Sequence, residues 1–247
     1  MKKFKLFTLF TAVIFLFNIG KSQTLQPKIT FNEDPLTHNV HITSDGINYY
    51  TCNGGVTSKG QINKLSFEGK VLESYPIELD MRSVMYNKKD KSLYVNCFDG
   101  NIYKITNLAS GEFKLVLKDF NENTQANLAL STNGKKLYYF DDGNLKIYSF
   151  PKGKLKKTII GLNHGTQFTT GQSSVAVDNK YIYTWNSNKS KIYIYDLKGK
   201  SVKDVKISDG DYGFSLSYAN GLIFVSTDGN YDVGTWYGYD VWAKEDK

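Results

Sequence analysis

The chain of 247 residues is long enough to bury a sizeable core, and 18 Tyr, 15 Phe and 21 Gly against 4 Pro suit many short strands joined by tight turns. Its formal charge of +7 falls to +3 once the four lysines at positions 2, 3, 5 and 21 are set aside with the leader described next. A balance that small over a whole domain gives no case for nucleic acid as a partner.

Met1-Lys2-Lys3-Phe4-Lys5 is a basic start, and Leu6 to Ile19 is a 14-residue, mostly apolar run. Gly20 and Ser22 then place small residues at the −3 and −1 positions before Gln23. This pattern predicts a cleavable secretory signal over residues 1–22 and a periplasmic or secreted mature chain, 23–247, forming one domain. The apolar run is too short and wrongly flanked for an integral membrane anchor. No Cys precedes Cys52, which argues against a lipid-modified cysteine at the cleavage point.

Beyond the leader, a strand-like segment at 27–31 (Pro27-Lys28-Ile29-Thr30-Phe31) precedes a cycle that returns five times. Its aromatic anchors are Tyr49, Tyr94, Tyr138, Tyr183 and Phe224, separated by 45, 44, 45 and 41 residues. Each anchor is followed by a polar or Gly-containing loop and a second short strand. Periods of this size with several strands per unit predict an all-β fold, a β-propeller. The blades fall at about 38–75, 81–117, 125–160, 173–207 and 214–242. The first four read as four strands each. The fifth has only three, Phe214–Tyr218, Leu222–Ser226 and Trp236–Trp242, before the sequence ends. The spare strand at 27–31 supplies the missing edge, which predicts five four-stranded blades closed by an N-terminal strand.

The connections sort into two kinds. Ser44-Asp45-Gly46, Asn133-Gly134, Ala219-Asn220-Gly221 and Lys198-Gly199 are hairpin turns whose Gly or Asn supplies a positive φ. Cys52–Gly60, Lys118–Thr124, Gly161–Gln172, Asn186–Ser190 and Thr227–Thr235 are longer and irregular, and in a propeller they gather on one face. Long loops on a rigid scaffold are where function concentrates. Lys154, Lys156, Lys157, Lys203 and Lys206 fall on outer strands, where charge blocks edge-to-edge association, so a monomer is expected.

Tyr181-Ile182-Tyr183-Thr184-Trp185-Asn186 followed by Ser190 to Val202 resembles repeats of the YVTN and quinoprotein-like β-propeller superfamily. Leu93-Tyr94-Val95-Asn96 followed by Gly100-Asn101-Ile102-Tyr103-Lys104-Ile105 is similar. The resemblance covers about residues 38–242 and implies fold only. The superfamily holds binding scaffolds, glycosidases, lactonases and dehydrogenases alike.

No Gly-x-Ser-x-Gly elbow, His-Glu-x-x-His, phosphate loop or Cys-x-x-Cys is present, and no cofactor is implied. Strand alternation predicts that His38 and His41, three apart, do not both face the channel. Cys52 and Cys97, at equivalent places in adjacent repeats, are expected as two buried thiols. Asp34, Asp80 and Asp211 lie just before the first, second and fifth inner strands, the place for an acid–base pair of a glycosidase. Arg82, the sole arginine, is suited either to a carboxylate or phosphate ligand or to an internal bridge with Asp80. Asp228, Asn230 and Asp232 alternate like the opening of a calcium loop, but the sixth position lacks Gly and the twelfth is Tyr239 rather than Glu. Trp185, Trp236 and Tyr231 are candidates for stacking on a sugar or peptide, and His164 sits in the longest irregular loop.

These features predict an exported, non-enzymatic scaffold that binds a protein, peptide or glycan through its irregular-loop face, with Arg82, His164, Trp185, Tyr231 and Trp236 as contact residues. The alternative is a propeller glycosidase or lactonase working through its channel-mouth carboxylates.

Overall fold

The computed structural model describes residues 24–165 and 173–243. Residues 1–23, 166–172 and 244–247 lie outside them, so the expected signal segment falls beyond the described residues. Five four-stranded sheets follow one another around an axis, and the fourth carries one extra strand. Blade 1 is built from His38–Ser44, Tyr49–Gly54, Gln61–Leu65 and Val71–Pro76, in order from the axis outward. Blades 2 and 3 repeat this simple antiparallel order, ending at Leu117 and Ile159.

The ring closes through the N-terminal strand. Ile29–Glu33 pairs antiparallel with Gly234–Tyr239, from Ile29 opposite Gly238 to Glu33 opposite Gly234. Pairing therefore begins two residues later than the sequence pattern suggests. Thr24–Leu25 adds a second tie, parallel to Lys206–Ile207 on the edge of blade 4. The start of the described chain thus grips two neighbouring blades.

Hydrophobic side chains of adjacent blades meet in five buried clusters, one for each seam of the ring. All five aromatic anchors are buried. Three blades fix their inner hairpin in the same way, with a turn aspartate accepting from a tyrosine hydroxyl. The pairs are Tyr50–Asp45 at 3.0 Å, Tyr94–Asp90 at 2.6 Å and Tyr183–Asp178 at 2.7 Å. Asp45 and Asp178 also accept backbone N–H groups of their own turns, which explains why an acidic residue opens them.

The inner strands of blades 3 to 5 are shorter than their sequence pattern suggests: Leu128–Leu130, Ala176–Val177 and Ser217–Ala219. Near the axis, side chains replace ladder bonds. Ser215 Oγ accepts from the Ser226 N–H at 2.7 Å, and Ser217 Oγ from the Ile42 N–H at 3.3 Å. Cys52 and Cys97 are buried free thiols whose burial pushes them above the ordinary thiol range. Among the described residues no helix is long and apolar enough to cross a membrane.

Candidate functional site

The inner strands leave an axial channel that is interrupted halfway. Asn127, fully buried on blade 3, reaches across with its amide to the carbonyls of Val40 on blade 1 and Phe214 on blade 5. Its backbone N–H donates to Ser173 of blade 4 at 2.8 Å. Side chain and backbone of this one residue thus join four blades.

The cavity on the tight-turn side, about 240 Å³, is lined by His41, Val84, Met85, Ala129, Val175 and the hairpin turns. The cavity on the irregular-loop side is larger, about 420 Å³, and is lined by His38, Val40, Gly54, Gly55, Asp80, Arg82, Phe98, Gln125, Tyr212, Phe214 and Tyr231. Both histidines therefore line the channel, at opposite ends, where simple alternation predicts that they do not. A β-bulge between Asn39 and His41 inserts one residue into the inner strand and resets its facing.

His41 is buried, and neither ring nitrogen has a well-formed hydrogen bond. Burial lowers its pKa from 6.5 to about 4, against a weak opposing contribution from the Val84 backbone, so the ring is neutral at pH 7.

On the opposite side, Arg82 and Asp80 form the floor of the larger cavity. Arg82 Nη1 bonds Asp80 Oδ1, Nη2 donates to Oδ2 at 3.3 Å, Nε to Gln125 Oε1 at 3.2 Å and Nη1 to the Met81 carbonyl at 3.0 Å. Phe98 and Phe214 lie against the guanidinium, with ring centroids 4.9 and 5.9 Å away. Asp80 Oδ1 also accepts the Gly55 N–H at 2.6 Å. The only arginine of the chain is thus the internally paired cation of the site. Its charge is already matched by Asp80.

At the cavity wall, His38 Nδ1 lies 2.6 Å from Asp228 Oδ2, and the Asn39 N–H approaches Oδ1 at 3.3 Å. The His38 ring stacks on Tyr212 at 6.0 Å and meets the edge of Tyr231 at 5.2 Å. Tyr231 is half exposed, carries Lys59 Nζ 5.4 Å above its ring and has φ +71, a left-handed conformation that is strained for an aromatic residue. A bond from its N–H to the Thr37 carbonyl at 2.8 Å holds it there.

Of the residues singled out by sequence, Asp80, Arg82 and Tyr231 line this cavity, and Asp228 supports it through His38. Asp34 and Asp211 do not line it. Both are exposed, Asp34 accepting the Leu36 N–H at 2.9 Å in a local turn. A facing pair of free carboxylates is therefore not assembled here. Trp236 is fully buried, and its Nε1 donates to Glu33 at 2.6 Å. Trp185 is 5% exposed within the seam of blades 4 and 5, with Nε1 3.3 Å from the Gly213 carbonyl. Neither indole presents a face for stacking. His164 packs on Phe140 beside Asp142, away from the axial cavity. The calcium-like pattern does not converge: Asp228 turns to His38, Asp232 accepts its neighbour's N–H at 2.7 Å, and Asn230 is exposed. Among the described residues no group of three or more His, Cys, Asp or Glu could hold a metal ion.

Phe98, Gln125, Tyr212 and Phe214 are site residues that sequence reasoning missed, and His38 was weighed only together with His41. The available signal was their position at inner-strand starts and in irregular loops, all of which open on one face.

No family model matches the chain, and no curated protein matches it. Among solved structures it is similar to the glutaminyl cyclase of Myxococcus xanthus, 12% identical over 87% of this chain and 97% of that one, with a TM-score of 0.60. It is also similar to the Cps50 (Swd1) β-propeller domain of Myceliophteria thermophila, 11% identical over 85% and 98% of the two chains with a TM-score of 0.49. Apo AztD of Citrobacter koseri is 15% identical over 72% of this chain and 49% of its own, with a TM-score of 0.41. At 12% identity the likeness to the cyclase is one of fold alone.

Proposed function

We propose that this protein is an exported ligand-binding propeller that captures a compact, neutral ligand, such as an uncharged peptide segment or the end of a glycan, in the axial cavity of its irregular-loop face. The observation that carries this reading is the cavity itself. It has four aromatic walls, and Arg82 is neutralised by Asp80 before any ligand arrives. At about 420 Å³ it falls within the size range of small-molecule pockets, roughly 300–1,000 Å³. An already paired cation favours an uncharged ligand over an anionic one. The contact set shifts accordingly, from the buried tryptophans and His164 to Phe98, Gln125, Tyr212 and Tyr231.

Thermal-shift titration with short peptides and oligosaccharides tests this reading. At least one class should raise the melting temperature saturably, since a ligand at 100 times its Kd stabilises by about 2.7 kcal/mol. The shift should vanish in Phe98→Ala and Tyr231→Ala. A flat response across both classes rejects the pocket as a binding site. Export is supported by the leader pattern. Mass spectrometry of the exported protein should find Gln23 at the N-terminus; retention of Met1 overturns it. The His38–Asp228 pair favours a second reading, chemistry in the same cavity.

A further inference from the structure

His38 presents its two nitrogens to different surroundings. Nδ1 faces Asp228 at 2.6 Å, and that carboxylate is itself held by the Asn39 N–H. A fixed carboxylate at Nδ1 keeps the ring proton there and leaves the Nε2 lone pair as the basic position. The opposite side of the ring passes close to Gly55. A Cβ at that position would come within 2.9 Å of Cδ2 and 3.4 Å of Nε2. Stacking against Tyr212 and the edge of Tyr231 restricts rotation further. The His38 side chain is 23% exposed and that of Asp228 15%, so water reaches the imidazole.

The other polar groups of the cavity have different roles. Asp80 is occupied at both oxygens by Arg82, and Gly55 adds a third donor. Gln125 gives its Oε1 to Arg82 and retains its amide N–H groups. Burial, followed by the nearby negative charge of Asp228, pushes the Tyr212 phenol far above its ordinary range, so it remains a hydroxyl donor.

We propose that His38, oriented by Asp228, is the general base of a hydrolytic site that cleaves small uncharged carboxylic esters in the axial cavity. This rests on the axial-cavity reading above. Nε2 takes a proton from water as the water oxygen bonds to the ester carbonyl carbon. The carbonyl π pair moves onto oxygen, where the Tyr212 hydroxyl and the Gln125 amide are the available donors. On collapse the carbon–alkoxy bond breaks, and the imidazolium returns its proton to the departing oxygen. Ester and water become acid and alcohol, with no change of oxidation state and no covalent intermediate on the protein. His38 is the catalytic residue; Asp228 is a positioning residue.

The test uses the mature protein and a panel of uncharged open-chain and cyclic esters, with acid release followed by pH-stat. The wild type should show saturable turnover. His38→Gln and His38→Ala should lower kcat by about 10²- to 10⁴-fold, the usual contribution of a general base. Added imidazole should restore part of the His38→Ala rate, which a merely structural role would not allow. Asp228→Asn should lower kcat while KM stays within about twofold, because the ring is misoriented rather than the ester unbound. Lys114→Ala, on an exposed outer strand, should match the wild type. Absence of saturable turnover in the wild type, or full turnover in His38→Gln, overturns the proposal. Binding of the corresponding uncleavable lactams separates the two readings. If lactams bind and esters survive, catalysis fails and the binding site stands. If esters survive, lactams do not bind and the peptide and oligosaccharide titrations are also flat, both fail.

Discussion

The indole Nε1 of Trp236 donates to the carboxylate of Glu33 at 2.6 Å, joining residues 203 positions apart in sequence. Glu33 ends the closing strand, and Trp236 lies in the last strand of the ring. The same carboxylate receives Thr51 Oγ1, Asn63 Nδ2 at 2.7 Å and Asn39 Nδ2 at 3.5 Å, all from blade 1. One buried acid therefore fastens the seam between blades 5 and 1 from both sides.

Glu33→Ala strands several buried donors, each costing about 1–3 kcal/mol when left without a partner. We expect a loss of at least about 3 kcal/mol in urea unfolding, together with a tendency to associate through the loosened edge. Stability within about 1 kcal/mol of the parent would show that the seam is held by hydrophobic contacts alone. Burial raises the Glu33 pKa above its ordinary 4.5, outweighing its hydrogen bonds. Its titration thus favours the folded state below 4.5, and that contribution is lost as pH rises through the folded value.

His41 titrates with the opposite consequence. Its ring binds a proton near pH 6.5 when unfolded but only near 4 when folded. Stability linked to His41 is complete above pH 6.5 and is lost as pH falls toward 4, by roughly 3 kcal/mol in total. Denaturant unfolding at pH 7.5 and 4.5 should show this decline in the wild type, and His41→Asn should flatten it. An equally steep decline in the variant would place the acid sensitivity elsewhere.

Gly55 is the glycine on which the site depends most directly. Its φ is +111, and a Cβ would meet the His38 ring at 2.9 Å. Gly55→Ala should cost about 1 kcal/mol or more from backbone strain alone and displace His38 from Asp228. The measurable result is loss of ligand-induced thermal stabilisation in a variant that still melts cooperatively. Ligand response equal to the wild type would show that the ring tolerates the methyl group.

Much of the architecture was legible because it depends on local periodicity. The spacing of Tyr49, Tyr94, Tyr138, Tyr183 and Phe224, the Gly- and Asn-bearing hairpins and the missing fourth strand of blade 5 led to a five-bladed ring closed from the N-terminus. Each follows from alternation, turn chemistry and the need to cover an open edge. Glu33 escaped notice because an acid at the end of a strand ordinarily faces water. Its burial depends on Thr51, Asn63 and Trp236 arriving from elsewhere.

The axial site was decided by tertiary structure. His38 and Asp228 lie 190 positions apart and meet only because ring closure sets blade 5 beside blade 1. In sequence, Asp228 reads as the first residue of a calcium-like alternation and His38 as the start of a strand. The bulge after Asn39 leaves no compositional mark, yet it turns His41 into the channel along with His38. Local sequence thus determined which strands and turns form, since backbone conformation and burial patterns are set by near neighbours. Which polar groups face one another across the axis was set by closure of the ring, because those contacts are made between blades.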